Sequence, residues 1–311
     1  MQGKAMAAHM ELRGRRVVQA AGRLWHSVEG GLLMALPYQA PMDPESAEIA
    51  GMLFRHSALG ARYLSAGQPG HKSGIYVCRT RDYGFSSVQP RMRTLIRRGL
   101  EQCQVRRVEE DQLLSEGLRL NLDSMLRQGR IDPEFAEPAS WRRLVAAIRR
   151  TPEIAAHGAF VDGQLAAYMI TCREDGWLYV LHQNSREDLL ERSPNHALTF
   201  TVTRDAMADP EIHAMSYGVI SMVSNPGLHQ YKLRIGYEVE RYSSVYQLHP
   251  AMAPLLASRP MLWMVRQWRR RQPENQRLER VETVLTGARL RRRGVNPPGV
   301  SLEASQEEWS L

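Results

Sequence analysis

Lys232 lies in the stretch MSYGVISMVSNPGLHQYKLRIGYEVERYSSVYQLHP, residues 215–250, within a short basic segment flanked by two runs that read as strands. The chain has three lysines, Lys4, Lys72 and Lys232, and its other 38 basic residues are arginines. A guanidinium is planar and keeps its proton, whereas an ammonium is a compact point charge whose pKa moves with its surroundings. In a chain that uses arginine by default, Lys232 is therefore a candidate for chemistry at a developing charge; the plainer reading is a solvated lysine on a helix. A second candidate is the segment RSPNHA, Arg192 to Ala197, ahead of a predicted helix. Unpaired N–H groups and the positive end of the helix dipole favour an anion there, and a phosphorylated cofactor would suit it, with Arg192 adding charge. In the plainer reading, Ser193 or Asn195 caps the helix after a proline.

Several chemistries lose their support. The sequence contains no HExxH, no GxSxG and no P-loop spacing. Cys78, Cys103 and Cys172 are far apart, odd in number and lack CxxC spacing, so neither a disulfide frame nor a metal site is expected and they read as small buried hydrophobes. No run approaches the roughly 18 uncharged apolar residues of a membrane span. The N-terminus MQGKAMAAHMELRGRR lacks the apolar centre of a signal peptide, so a cytoplasmic protein is expected.

The net charge of +8 is localised. Between Arg259 and Arg293 there are eleven arginines against three glutamates, a surplus equal to the charge of the whole chain, so the rest is neutral. In that segment Met261, Met264, Val265 and Trp268 recur at helical spacing, with Leu262 and Trp263 widening the apolar face. Such a helix either docks on the body with its arginines in water or lies on an anionic membrane surface. Nothing resembles a base-reading motif, so no sequence-specific nucleic-acid partner is expected.

The elements that position these residues follow from pattern. RRVVQAAGRLWHSVEGGLLMALPYQAP reads as short strands broken at Gly22 and at Gly30-Gly31. DPESAEIAGMLFRHSALGARYL opens as a helix capped by Asp43, with proline at its first position, and SGIYVCR is a strand. SVQPRMRTLIRRGLEQC is a helix, QVRRV a strand, and EEDQLLSEGLRLNLDSMLRQG a helix closed by Gly129; IDPEFAEP is a linker and ASWRRLVAAIRR another helix. The second half predicts a three-strand meander turning at Asp162-Gly163 and Asp175-Gly176, then helix, strand, helix and a final strand. The expected class is α+β, a mixed sheet flanked by helices.

From about residue 75 to 248 this order resembles the GNAT acyltransferase fold, and more closely its FemAB-like branch. RSPNHA is similar to the R/Q-x-x-G-x-G/A loop that holds the pyrophosphate of acyl-CoA, with Asn195 in place of the first glycine, a residue that also tolerates positive φ. The resemblance assigns cofactor contacts to Arg192, Ser193, Asn195, His196 and Ala197. Asn225 falls on the asparagine of the later motif N-x-x-A-x-x-L-Y-x-K-x-G-F, while Lys232 stands where the tyrosine acid of that motif belongs. The pair Tyr231-Lys232 followed by Gly236 looks instead like the aromatic-lysine pair of the FemAB-like branch, which implies an oxyanion-type role for Lys232. Tyr217 and His182, at strand ends, are further candidates for the acyl site.

The resemblance implies three parts: a degenerate GNAT-like half over 1–130, an acyltransferase domain over 131–250 and a basic helical extension over 251–311. It implies transfer of an acyl group from acyl-CoA, with no metal, to an amine or hydroxyl on a small molecule or cell-envelope precursor. Two alternatives stay open: an aminoacyl-tRNA donor, and a catalytically silent module acting through its arginine-rich end. That end, residues 259–293, would give peripheral contact with an anionic membrane.

Overall fold

A computed structural model of the protein describes residues 1–129, 132–220, 226–273 and 275–294. The first part runs α1 (Lys4–Leu12), β1 (Val17–Ala20), β2 (Arg23–Val28), β3 (Leu32–Leu36), α2 (Ser46–Arg55), β4 (Gly60–Ser65), β5 (His71–Cys78), α3 (Pro90–Gln102), β6 (Gln104–Arg107) and α4 (Glu110–Arg127). Next come α5 (Pro133–Ala136), α6 (Pro138–Arg149), β7 (Ile154–Val161), β8 (Gln164–Glu174), β9 (Trp177–Ser185), α7 (Pro194–Ala208), β10 (Ala214–Val219), α8 (Pro226–Arg234) and β11 (Glu238–Leu248). Helices α9 (Ala253–Leu256), α10 (Arg259–Arg271) and α11 (Gln276–Arg293) complete the described chain.

The described strands form one mixed sheet of eleven in the order β1-β2-β3-β4-β11-β5-β10-β9-β8-β7-β6. Pairs β3–β4 and β9–β10 are parallel, and the others are antiparallel. The fold class is thus α+β, a mixed sheet flanked by helices. The sheet is continuous across residue 130, where the sequence places a boundary between halves: β5, from the first half, lies between β10 and β11.

The meander forms as its turns dictate. Asp162-Gly163 and Asp175-Gly176 have positive φ at both positions, the geometry of a two-residue hairpin turn whose twist matches the strands. Around α2 the pattern reading needs correction. The helix is capped two residues later than Asp43, at Glu45, whose N–H donates to the Glu48 carboxylate at 3.2 Å. Asp43 instead accepts from the Ser65 hydroxyl and the Gly67 N–H. The helical stretch ends at Arg55, and GARYLS becomes β4, paired with β11. A Cβ at Gly60 would lie 2.9 Å from the Gln247 carbonyl, so close strand packing rather than local propensity decides this segment. The pattern gives neither α1 nor the short helices α9 and α5, the latter inside the segment IDPEFAEP.

Helices α3, α7 and α8 cover one face of the central strands, over Tyr76, Val180, Met215 and Tyr217. Helices α1, α4, α5 and α6 cover the other face of β7–β9, around Trp141, Tyr168 and Ile170. The three cysteines are buried and free. The basic C-terminal helices belong to the packed body: Leu262, Val265, Leu285 and Ala288 bury Tyr246 and Leu248 of β11. The inward residues of α10 are thus Leu262 and Val265, while Met264 and Trp268 of the expected apolar face are exposed. Gly287 lets α11 close on the sheet, because a Cβ there would sit 2.7 Å from the Tyr246 ring and 2.8 Å from His71. Gly287→Val is expected to cost about 1–3 kcal/mol by overpacking and to speed limited proteolysis near residues 272–276; an unchanged cleavage rate would contradict this.

Candidate active site

Strands β9 and β10 pair only between Trp177–Tyr179 and Ala214–Ser216 and then part as a fork. Each carries a bulge at the fork. On β9, Thr171 faces Val180 and Ile170 faces His182, which leaves Leu181 as the extra residue. On β10, Ser216 faces Val77 and Val219 faces Ile75, so Tyr217 and Gly218 together oppose Tyr76. Helix α4 supplies partners for the end of β9. Ser124 Oγ donates to the Ser185 carbonyl (2.9 Å) and accepts from the Ser185 N–H (3.0 Å), while Asn184 Nδ2 donates to Asn121 Oδ1 (2.8 Å).

Lys232, from α8, reaches the β10 arm of this fork. It is 7% exposed, and its Nζ donates to the Tyr217 carbonyl at 2.7 Å. It lies 4.3 Å from the ring centroid of Tyr76 and 4.7 Å from that of Tyr217, between two aromatic faces that favour a cation. Gly218 has φ +85°, and a Cβ there would stand 4.0 Å from Nζ. Among the described residues no carboxylate forms an ion pair with Lys232. Burial accordingly lowers its pKa from 10.5 to about 8, close enough to neutrality for charged and neutral amine to exchange. The Tyr76 hydroxyl hydrogen-bonds His229 Nδ1 at 2.8 Å, and burial pushes the phenol up to about 12.

A closed polar network fills the fork beside Lys232. Gln183 Nε2 donates to Asn195 Oδ1 (3.0 Å) and Thr199 Oγ1 (3.2 Å), and Gln183 Oε1 accepts from the Tyr217 hydroxyl. The Tyr231 hydroxyl donates to Thr199 Oγ1 (3.1 Å) and to the Asn195 carbonyl (3.2 Å). Burial raises the Tyr217 phenol to about 12 and takes Tyr231 well above its ordinary value, so both stay neutral donors.

Of the sequence candidates, Tyr217 and Lys232 meet here, and His182 does not join them. Leu178 and Val180 face the α7 side of the sheet, but the bulge at Leu181 shifts the alternation by one. His182 therefore faces the other layer, 4.2 Å from the Phe135 ring, and Gln183 takes the place in the fork. Gln183, Thr199 and Tyr76 were missed: a bulge leaves no mark in a strand pattern, and Tyr76 lies 153 positions from the His229 it bonds.

The Arg192–Ala197 segment departs from expectation in one respect. Ser193, with φ 58°, takes the left-handed conformation, while Asn195 is helical and turns its side chain to Gln183 and to Ser185 Oγ (2.9 Å). His196 and Ala197 N–H groups bond back to the Ser193 carbonyl. Arg192 donates to Gln102 at 3.2 Å. His196 stacks edge-on to Tyr231, 5.4 Å between centroids, and burial together with Arg98 lowers its pKa to about 4. Gly99 of α3 lies against this turn, where a Cβ would be 2.6 Å from the Ser193 carbonyl. Asn225 lies outside the described residues. Among the described residues no group of three or more His, Cys, Asp or Glu is placed to hold a metal.

A fork of parallel strands with a helix N-terminus at its mouth defines a GNAT-type fold. Residues 86–233 match the family described as the acetyltransferase (GNAT) domain. The structure is similar to that of FemX (TM-score 0.56, 11% identity, covering 82% of this chain and 93% of that one). It is also similar to the C-terminal domain of a putative lysylphosphatidylglycerol synthetase from Agrobacterium fabrum (TM-score 0.52, 11% identity, 78% and 86%). A third likeness is to a conserved protein of unknown function from Bacteroides thetaiotaomicron (TM-score 0.51, 10% identity, 76% and 86%). No curated protein sequence matches. The chain thus has a GNAT-type fold, similar to that of FemX, with residues 86–233 matching the GNAT acetyltransferase domain model.

Proposed function

We propose that the protein is a transferase that moves an acyl group from a thioester or ester donor to an amine or hydroxyl, with Lys232 at the reacting carbonyl. The observation that carries this reading is the position of Lys232, buried without a carboxylate partner among the described residues and held at the β9–β10 fork by two tyrosine rings and one carbonyl. The acceptor attacks the carbonyl carbon, the tetrahedral oxyanion forms beside the ammonium, and collapse expels the thiol or hydroxyl of the donor as the acceptor loses its proton. Tyr217 and Gln183 hold the fork while this occurs.

Acyl-CoA is the first donor to test, since the GNAT domain spans the Arg192–Ala197 turn. Isothermal calorimetry with acetyl-CoA and longer acyl-CoA esters is expected to detect binding, and a saturating ester should raise the melting temperature by mass action. Asn195→Val should weaken binding, because it removes the bonds to Gln183 and Ser185 that set the first turn of α7. No binding of any CoA ester at millimolar concentration would rule this donor out. One observation favours an aminoacyl-tRNA donor instead: α3 sits directly on the turn where CoA phosphates would rest. That reading predicts binding that weakens steeply with salt. Failure of both donors would leave a GNAT-like binding module.

A further inference from the structure

Helices α10 and α11 leave between them a groove of about 450 Å³. Leu262 and Leu290 give it apolar walls, Trp263 stands at its edge, and Arg259, Arg266, Arg289 and Arg293 surround it. Little neutralises these arginines. Arg266 pairs with Glu282 at 2.8 Å, and Arg269, outside the groove, takes Glu279 and the other oxygen of Glu282 at 3.1 and 3.0 Å. Among the described residues no ion pair engages Arg259, Arg289 or Arg293. Loss of hydration and repulsion from Arg293, Arg259 and Arg266 lower the pKa of Arg289. Like charges gathered on an apolar groove raise the local potential, and an anion relieves it with charge-assisted hydrogen bonds.

The surroundings select the kind of anion. At 3.6 residues per turn, Trp263 stands between Arg259 and Arg266 on one flank of α10 and Met264 and Trp268 on the other. Trp263, Met264 and Trp268 are 64%, 38% and 54% exposed. A nucleic acid would stack on the tryptophans and find no use for Met264 or the leucine walls. A membrane interface uses the exposed Met264 as well as the tryptophans, which sit at headgroup depth. No helix of the described residues is long and apolar enough to cross a membrane.

We propose that this face seats on an anionic membrane surface, the arginine-rimmed groove taking the phosphodiester headgroup of an acidic phospholipid while Trp263, Met264 and Trp268 enter the interface. The site is separate from the β9–β10 fork, so its test needs neither donor nor acceptor.

Because α10 and α11 cover Tyr246 and Leu248, deleting them would open the core, and charge reversal in the full chain is the sounder test. The full chain is sedimented with vesicles of phosphatidylcholine, alone or mixed with phosphatidylglycerol, at low and high salt, with folding checked by circular dichroism. Binding is expected only to the phosphatidylglycerol mixture at low salt. It should weaken at least about tenfold in R289E/R293E, since each basic residue contributes on the order of 1 kcal/mol at such a surface. W263S/W268S should lose a comparable share. If the charge-reversed chain fails to fold, R289Q/R293Q replaces it with the same expectation. Four results would each overturn the proposal: no vesicle binding at low salt, undiminished binding by the folded arginine variant, full displacement by inorganic phosphate, or capture of RNA in preference to vesicles.

Discussion

Lys232→Met is expected to lower turnover by two to three orders of magnitude while leaving the melting temperature close to that of the parent, once an acceptor is in hand. Removing a preorganised donor aimed at developing charge costs on the order of 10²- to 10³-fold in rate. Two stability effects offset each other. Met leaves the Tyr217 carbonyl without its donor, at about 1–3 kcal/mol. It also removes a buried ammonium whose pKa falls from 10.5 to about 8, a penalty of roughly 3 kcal/mol when charged. Below pH 8 the lysine is charged in folded and unfolded chains alike and the penalty is complete. Between about 8 and 10.5 the folded chain gives up its proton first, so the parent gains stability as pH rises through that window. The difference in melting temperature between parent and variant should follow this curve. Lys232→Arg should not rescue the rate, since a planar guanidinium does not fit a cage built for one Nζ and does not deprotonate. Wild-type turnover by Lys232→Met would return the lysine to a packing role.

Asn121→Leu is the second large effect, and it acts on the opposite face of the fork. Asn121 accepts from Asn184 Nδ2 at 2.8 Å and from the Tyr168 hydroxyl, and donates to the Phe135 carbonyl at 3.1 Å, all buried. Leucine is similar in volume but removes all three bonds; Asn184 Nδ2 keeps its 3.0 Å bond to the Tyr168 hydroxyl, while the Phe135 carbonyl loses its side-chain donor, and each buried group left unsatisfied costs about 1–3 kcal/mol. A net loss of about 3 kcal/mol or more is expected, seen as a fall of several degrees in melting temperature and a lower denaturation midpoint in urea at unchanged slope. Because Asn121 anchors Asn184 near the end of β9, donor affinity should fall too. A double-mutant cycle with Asn184→Leu should give strongly non-additive energies. Additive effects would mean that α4 does not hold the fork.

Much of the candidate site was local and therefore readable. Lys232 was conspicuous because arginine serves almost everywhere else, and the Arg192–Ala197 turn because proline and a capping residue precede an apolar run. The structure places both at the fork, but it reassigns the left-handed residue from Asn195 to Ser193 and moves His182 to the opposite layer. The first change arises where α3 meets the turn through Gly99, and the second from the single inserted residue at Leu181. Neither α3's approach nor a bulge alters composition or periodicity at the affected residues.

Short-range physics determined the rest of what sequence alone could establish. Asp-Gly pairs that accept positive φ set the two hairpins of the meander, hydrophobic spacing set the helices, and the count of arginines located the whole net charge in one segment. Tertiary structure alone decided that GARYLS is a strand, that β5 lies between β10 and β11, that Leu262 and Val265 rather than Met264 and Trp268 face inward, and that Tyr76 completes the cage around Lys232. Each of these depends on partners distant in the chain, whose contacts override local preference once they bury more surface or satisfy more backbone groups than the local alternative would.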